Sequence, residues 1–175
     1  MDHLVISALG ADRPGIVDRL SQAVLENGCN VADSRMTVLG GEFAIILLIS
    51  GNWNTISKVE QQLPKLGQEL ELTITQKRTD HQGNSSPSLS YMVEVISIDQ
   101  PGIVHHLANF FSARSINIQE LNTSSYAAAH TGTPMFSLHM TVNVPVETHI
   151  ATLRDQFLEF CEGQNLDAVI EPLKI

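Results

Sequence analysis

Asp12, Arg13, Pro14, Gly15 and Ile16 put a tight turn, a residue without a side chain and a helix start within five positions. That set suits recognition of a small carboxylate. Glycine permits close backbone approach, and a helix N-terminus offers unpaired amide donors at the positive end of its dipole. The chain repeats the run as Asp99, Gln100, Pro101, Gly102 and Ile103, at a constant offset of 87 positions. Val17, Leu20 and Asn30 recur at the same offset as Val104, Leu107 and Asn117. Asn30 and Asn117 open the strand expected after each helix, and a carboxamide offers both donor and acceptor to an amino acid. On the residues alone, the run reads equally as a capped helix start, with Asp12 accepting from the first free amides, or as a ligand loop.

Other chemistry finds no constellation. The chain has no G-x-S-x-G, no phosphate-binding glycine loop and no H-E-x-x-H. His105 and His106 are adjacent, so on a helix they point about 100° apart and cannot chelate one metal as an i,i+4 pair would. Cys29 and Cys161 lack partners at zinc spacing and read as buried, reduced thiols. Glu69, Glu71, Glu94, Asp99 and Glu120 fall on separate elements without the spacing of an acid/base pair. The expectation is a binding module with no catalytic role, no metal and no cofactor.

Charge narrows the partners. Nineteen Asp+Glu against ten Lys+Arg leave a net charge of -9, which disfavours direct binding to a nucleic-acid backbone or an anionic membrane. The first residues lack a signal-peptide pattern, and the longest apolar run, Phe43 to Ile49, is far short of the roughly 20 residues of a membrane helix. A cytoplasmic location is expected.

The elements that must position these residues follow from periodicity. His3–Ala8 reads as a strand, Pro14 as the first residue of a helix burying Ile16, Val17, Leu20, Ala23 and Val24, and Asn27-Gly28 as its end. Strands at 31–39 and 42–50 flank a Gly40-Gly41 turn; a helix over 52–66 and a strand over 69–77 complete the set. The second set follows from Tyr91, with a longer Tyr126-to-Pro134 loop in place of the glycine turn. The predicted organisation is a first domain over 1–78, a linker over 79–89 and a second domain over 90–175. Each is α+β and ferredoxin-like, β-α-β-β-α-β, with a four-stranded antiparallel sheet carrying two helices on one face. Phe43 to Ile49 is apolar at every position, which predicts that the sheet face opposite the helices is covered and that the chain associates there.

The β-α-β-β-α-β order, the D-R-P-G-I-V loop and the Asn after the first helix resemble the ACT domain, a family of small ligand-sensing modules. The resemblance spans nearly the whole chain, twice. It implies amino-acid binding at domain or subunit interfaces, with the ligand loops at 12–16 and 99–103 and following-strand contacts at Asn30 and Asn117. The tandem opening A-x-G-x-D-R-P-G-I-V, Ala8 to Val17, is similar to transcription-regulating members of the family. It implies an amino-acid-responsive repressor of glycine breakdown that binds a DNA-binding transcription factor and not DNA, with glycine as effector and a homo-oligomeric state. The alternative is a regulatory subunit of an enzyme of amino-acid metabolism. Gln100 in place of Arg13, Ser115 in place of Gly28 and the longer loop predict unequal binding, with the N-terminal copy stronger.

Overall fold

The computed structural model of the chain describes residues 1–80 and 87–173. The chain divides into two compact units, Met1–Gly83 and Asn84–Ile175, each around its own core. The middle of the expected linker lies outside the described residues, and its ends, Thr79, Ser88 and Leu89, belong to strands.

In the first unit, β1 (Asp2–Ala11), α1 (Ile16–Glu26), β2 (Asn30–Leu39), β3 (Glu42–Gly51), α2 (Trp53–Leu70) and β4 (Thr73–Thr79) form an antiparallel sheet in the order β2-β3-β1-β4. The second unit repeats this with β5 (Ser88–Ile98), α3 (Ile103–Ser112), β6 (Asn117–Ala127), β7 (Pro134–Pro145), α4 (Ile150–Gly163) and β8 (Asp167–Pro172), in the order β6-β7-β5-β8. The duplication extends to irregularities. The β2–β3 register slips between Val31 and Asp33, and the β6–β7 register slips at the equivalent place, between Ile118 and Glu120.

Local chemistry explains the boundaries. Gly40 and Gly41 both have positive φ, 60° and 85°, as the two-residue hairpin turn requires. All four helices close with the paired bonds of a Schellman motif around a left-handed residue: Gly28, Glu71, Ser115 and Asn165. At the first, Cys29 N–H reaches Val24 O (3.1 Å) and Gly28 N–H reaches Leu25 O (2.9 Å). Helix α2 runs four residues beyond the predicted end, to Leu70, and the strand begins only at Thr73. Leu63, Leu66 and Leu70 continue the helical period there, so Leu70 and Leu72 do not alternate on one strand. Pro64 lies inside α2 and supplies no N–H to Glu60 O; the Gln76 amide donates to that carbonyl instead (3.2 Å).

The cores lie between each sheet and its helices. Leu4, Ile6, Phe43, Ile49, Ile56 and Val59 anchor the first, and Phe111, Phe157, Leu107 and Leu138 the second. Val17 departs from its expected burial, at 45% exposed, whereas Leu20, Ala23 and Val24 are buried. Ile46 on β3, on the face opposite the helices, is 50% exposed in the single chain.

Candidate functional site

The two D-x-P-G turns have the same backbone. Gly15 (φ 93°, ψ -6°) and Gly102 (φ 92°, ψ -3°) are the N-caps of α1 and α3, and both lie in the left-handed region. Pro14 and Pro101 therefore precede the helices, and neither Asp12 nor Asp99 caps one; no side chain does. The first helical bonds are Arg19 N–H to Gly15 O (3.0 Å) and His106 N–H to Gly102 O (2.9 Å). The amides of Ile16 to Asp18 and of Ile103 to His105 thus have no intrahelical acceptor. Each turn is pinned to the facing hairpin: Asp12 N–H donates to Gly41 O (3.0 Å) and Asp99 N–H to Pro134 O (2.9 Å). Hence Asp12 is held by its backbone three residues before the cap, which is why its carboxylate does not reach the helix amides.

Side chains around the turns differ. In the first copy Arg13 is exposed, Asp18 stands in the first turn of α1, and Arg19 is paired with Glu69 (3.2 Å). In the second, Gln100 Nε2 donates to Gln164 O (3.4 Å), and His105 and His106 occupy the positions of Asp18 and Arg19. The Asp99 carboxylate accepts from Ser125 Oγ (3.2 Å), and Val38 stands where that serine would be in the first copy. The His106 ring lies beside Gly102, within 3.4 Å of where a Cβ would sit.

The structure does not bring the asparagines to the turns. Asn30 pairs with Ser50, which pairs with His3, near the start of β1; the turn follows Ala11, at the other end. Eight residues of strand at about 3.4 Å each separate the two levels by roughly 27 Å. Asn117, Asn143 and Ser90 repeat the arrangement. Within one domain, therefore, Asn30 cannot join Gly15 on a small ligand, nor Asn117 join Gly102. A strand that follows a helix starts at the end where the helix finishes, so the sequence order already contains this separation.

Asn117 instead borders a cavity of about 390 Å³ between α3 and β6, with His105, Asn109 and Ser112. His105 and Asn109 were not among the expected site residues, because nothing in their spacing distinguishes them from an exposed helix face. Burial holds the Cys161 thiol protonated, its pKa pushed up to about 12, so it offers no thiolate nucleophile. Among the described residues no three His, Cys, Asp or Glu are grouped to hold a metal ion.

Residues 2–77 match the ACT domain family. The glycine cleavage system transcriptional repressor of Escherichia coli is 36% identical over 168 residues, spanning 96% of this chain and 88% of that protein. The chain belongs to the ACT domain family. As a tandem ACT protein, it also superimposes on a crystal structure assigned to a glycine cleavage system transcriptional repressor, with a TM-score of 0.75, 31% identity and coverage of 99% and 98%. A protein of unknown function from Galdieria sulphuraria superimposes with a TM-score of 0.84, 28% identity and 99% coverage of both chains. Both sheets of the fold, and not one alone, are therefore common to these proteins.

Proposed function

We propose that this tandem ACT protein is a cytoplasmic, amino-acid-responsive regulator that represses glycine-cleavage genes by binding a DNA-binding transcription factor. The observation that carries the reading is the pair of glycine-capped helix N-termini with open amides, in a chain similar along its length to a named repressor. The acidic net charge of -9 supports action through a protein and not on DNA. The same full-length similarity favours this over an enzyme's regulatory subunit.

Asp18 bears on the ligand. A carboxylate in the first turn repels a simple anion from the Ile16 and Val17 amides, but pairs with the ammonium of a zwitterion whose carboxylate those amides receive. An α-amino acid fits, glycine first because it is the smallest zwitterion and the turn is exposed. Asp12, Arg13, Pro14, Gly15 and Ile16 form the first ligand loop, and Asp99, Gln100, Pro101, Gly102 and Ile103 the second. An Asn must come from another copy of the domain. Strand β2 is an edge strand exposed at every position, open to pairing. Antiparallel pairing of β2 between two chains brings the Asn30 end of one beside the Gly15 end of the other. Such a homodimer completes the site.

Titration calorimetry of the full chain with glycine, alanine, serine and glutamate tests this, together with sedimentation. Glycine heat that disappears in both Gly15→Ala and Asn30→Ala is expected. No binding heat with any amino acid sinks the ligand reading, and retained binding in Asn30→Ala sinks the interface.

A further inference from the structure

We infer that the face of the C-terminal sheet opposite its helices is the docking surface for a basic segment of a partner protein, one carrying Lys/Arg interspersed with aliphatic side chains. Register defines the face. Glu94 pairs with His139 and Glu120 with Thr141, while Asp167 stands across from Ile96 and Glu171 across from Met92. All lie on the side away from buried Val93, Val95, Met140 and Ile170.

Two properties coincide there. Among the described residues, four carboxylates share the face with no Lys or Arg, and its one potentially cationic group is His139, 3.7 Å from Glu94. Between them stand apolar side chains left open to water: Ile96 at 46% exposed, Ile98 at 63% and Val169 at 44%. An isolated exposed aliphatic residue is ordinary, but three on one antiparallel face are a patch. Aliphatic contact with charges of one sign around it matches the anatomy of a protein interface whose partner carries the opposite sign.

The equivalent face of the first unit is different. Its carboxylates are Asp33, paired with Arg35 (2.5 Å), and Glu42 at the hairpin end, and Lys77 lies across from Val5. Charge is correspondingly uneven along the chain: residues 84–175 hold nine Asp+Glu against three Lys+Arg, a net of -6 of the total -9. A second copy of this acidic chain is repelled by such a face, whereas a DNA-binding protein necessarily carries a cationic surface. The inference rests on the proposal that the chain works through a DNA-binding protein, and it names where.

The test titrates the 15N-labelled full chain at low salt with a synthetic peptide of alternating arginine and leucine. Backbone shifts concentrated on β5, β6 and β8 are expected, with affinity falling as salt is raised. Neutralising the face (E94Q, E120Q, D167N, E171Q) should weaken binding about 16-fold, from four exposed pairs each contributing a factor of about two. A charge-matched control in the same unit (E147Q, D155N, E159Q, E162Q) should change it less than about twofold. The single reversal Glu171→Lys, at the sheet edge, serves if the quadruple variant melts early. Equal loss in face and control variants, or shifts on the first unit, overturns the inference. So does a dimer that only the face variant dissociates, because the face then belongs to a second copy. Glycine calorimetry on the unaltered chain separates the two ideas: glycine heat without any peptide binding overturns docking and leaves ligand sensing standing.

Discussion

Replacing Gly15 with alanine tests the turn on which the functional reading depends. The residue sits at φ 93°, and an added Cβ would meet no atom within 4 Å, so the whole penalty is conformational. Holding a non-glycine residue in the left-handed region costs roughly 1–2 kcal/mol. For a domain of 60–100 residues, each kcal/mol lowers Tm by about 4–8 °C, so a drop of roughly 5–15 °C is expected. Because each unit has its own core, that drop should fall on one calorimetric transition, and Gly102→Ala should lower the other. At Gly102 the new methyl also meets the His106 ring at 3.4 Å, but that ring is the end of a mobile side chain and can turn away. The two penalties should therefore agree within about 1 kcal/mol. Scanning calorimetry of both variants reads this directly. A shift below about 1 °C in Gly15→Ala would refute the left-handed cap, and with it the open amides at Ile16 and Val17.

Other perturbations have defined signs. Ser115 occupies a left-handed position (φ 56°) where the first copy has Gly28, so Ser115→Gly should stabilise by about 0.5–1 kcal/mol and Gly28→Ser should destabilise by a similar amount, measured by urea titration. Phe157 is fully buried with rings of Phe110 and Phe111 each 5.2 Å away; Phe157→Ala should cost about 3–5 kcal/mol and leave the first unit's transition unmoved. The raised Cys161 pKa adds stability that is fully present below the unfolded thiol's value, about 8.5, and is lost as pH rises towards about 12. Cys161→Ala should accordingly flatten the alkaline limb of a stability–pH profile, and an unchanged slope would count against that burial. Glu60 has its pKa lowered by the hydrogen bond from Arg78, so its contribution is present above the ordinary carboxylate range and lost as pH falls through it; Glu60→Gln should flatten the acid limb.

Much of the architecture was legible because it rests on short-range rules. The glycine turn, the alternating strands and the amphipathic helices each announce themselves within about ten residues, and the repeat doubles every signal. What escaped depends on longer range. Leu70 and Leu72 satisfied a strand pattern locally, but packing of Leu63 and Leu66 carried the helix past them. Val17 fitted a helical face and proved exposed, because the covered stripe is narrower than the apolar one. Asp12 had the right residue type for a cap, yet its backbone bond to Gly41 holds it too far upstream. The asparagines were the most instructive case. Their position in sequence suggested proximity to the turn, whereas the run of β2 places them at the opposite end of the sheet.

What the duplication preserved, set against what it let go, separates scaffold from chemistry. Pro14, Gly15, Ile16, Leu20 and their second copies determine backbone path and core contact, and the φ values of Gly15 and Gly102 agree to 1°. The changed positions are exposed: Arg13 to Gln100, Asp18 to His105, Arg19 to His106, Val38 to Ser125. A pure stability constraint would hold the first set and leave the second free. It would not supply the hydrogen bonds that now fix Asp99 to Ser125 and Gln100 to the α4 terminus. The first copy keeps an exposed cation and a carboxylate at the start of the helix, an arrangement that complements a zwitterion. The second has traded those charges for tethered polar groups, so Arg13 alone no longer ranks the two turns. Charge favours an amino acid at the first, and preorganisation favours ordering at the second.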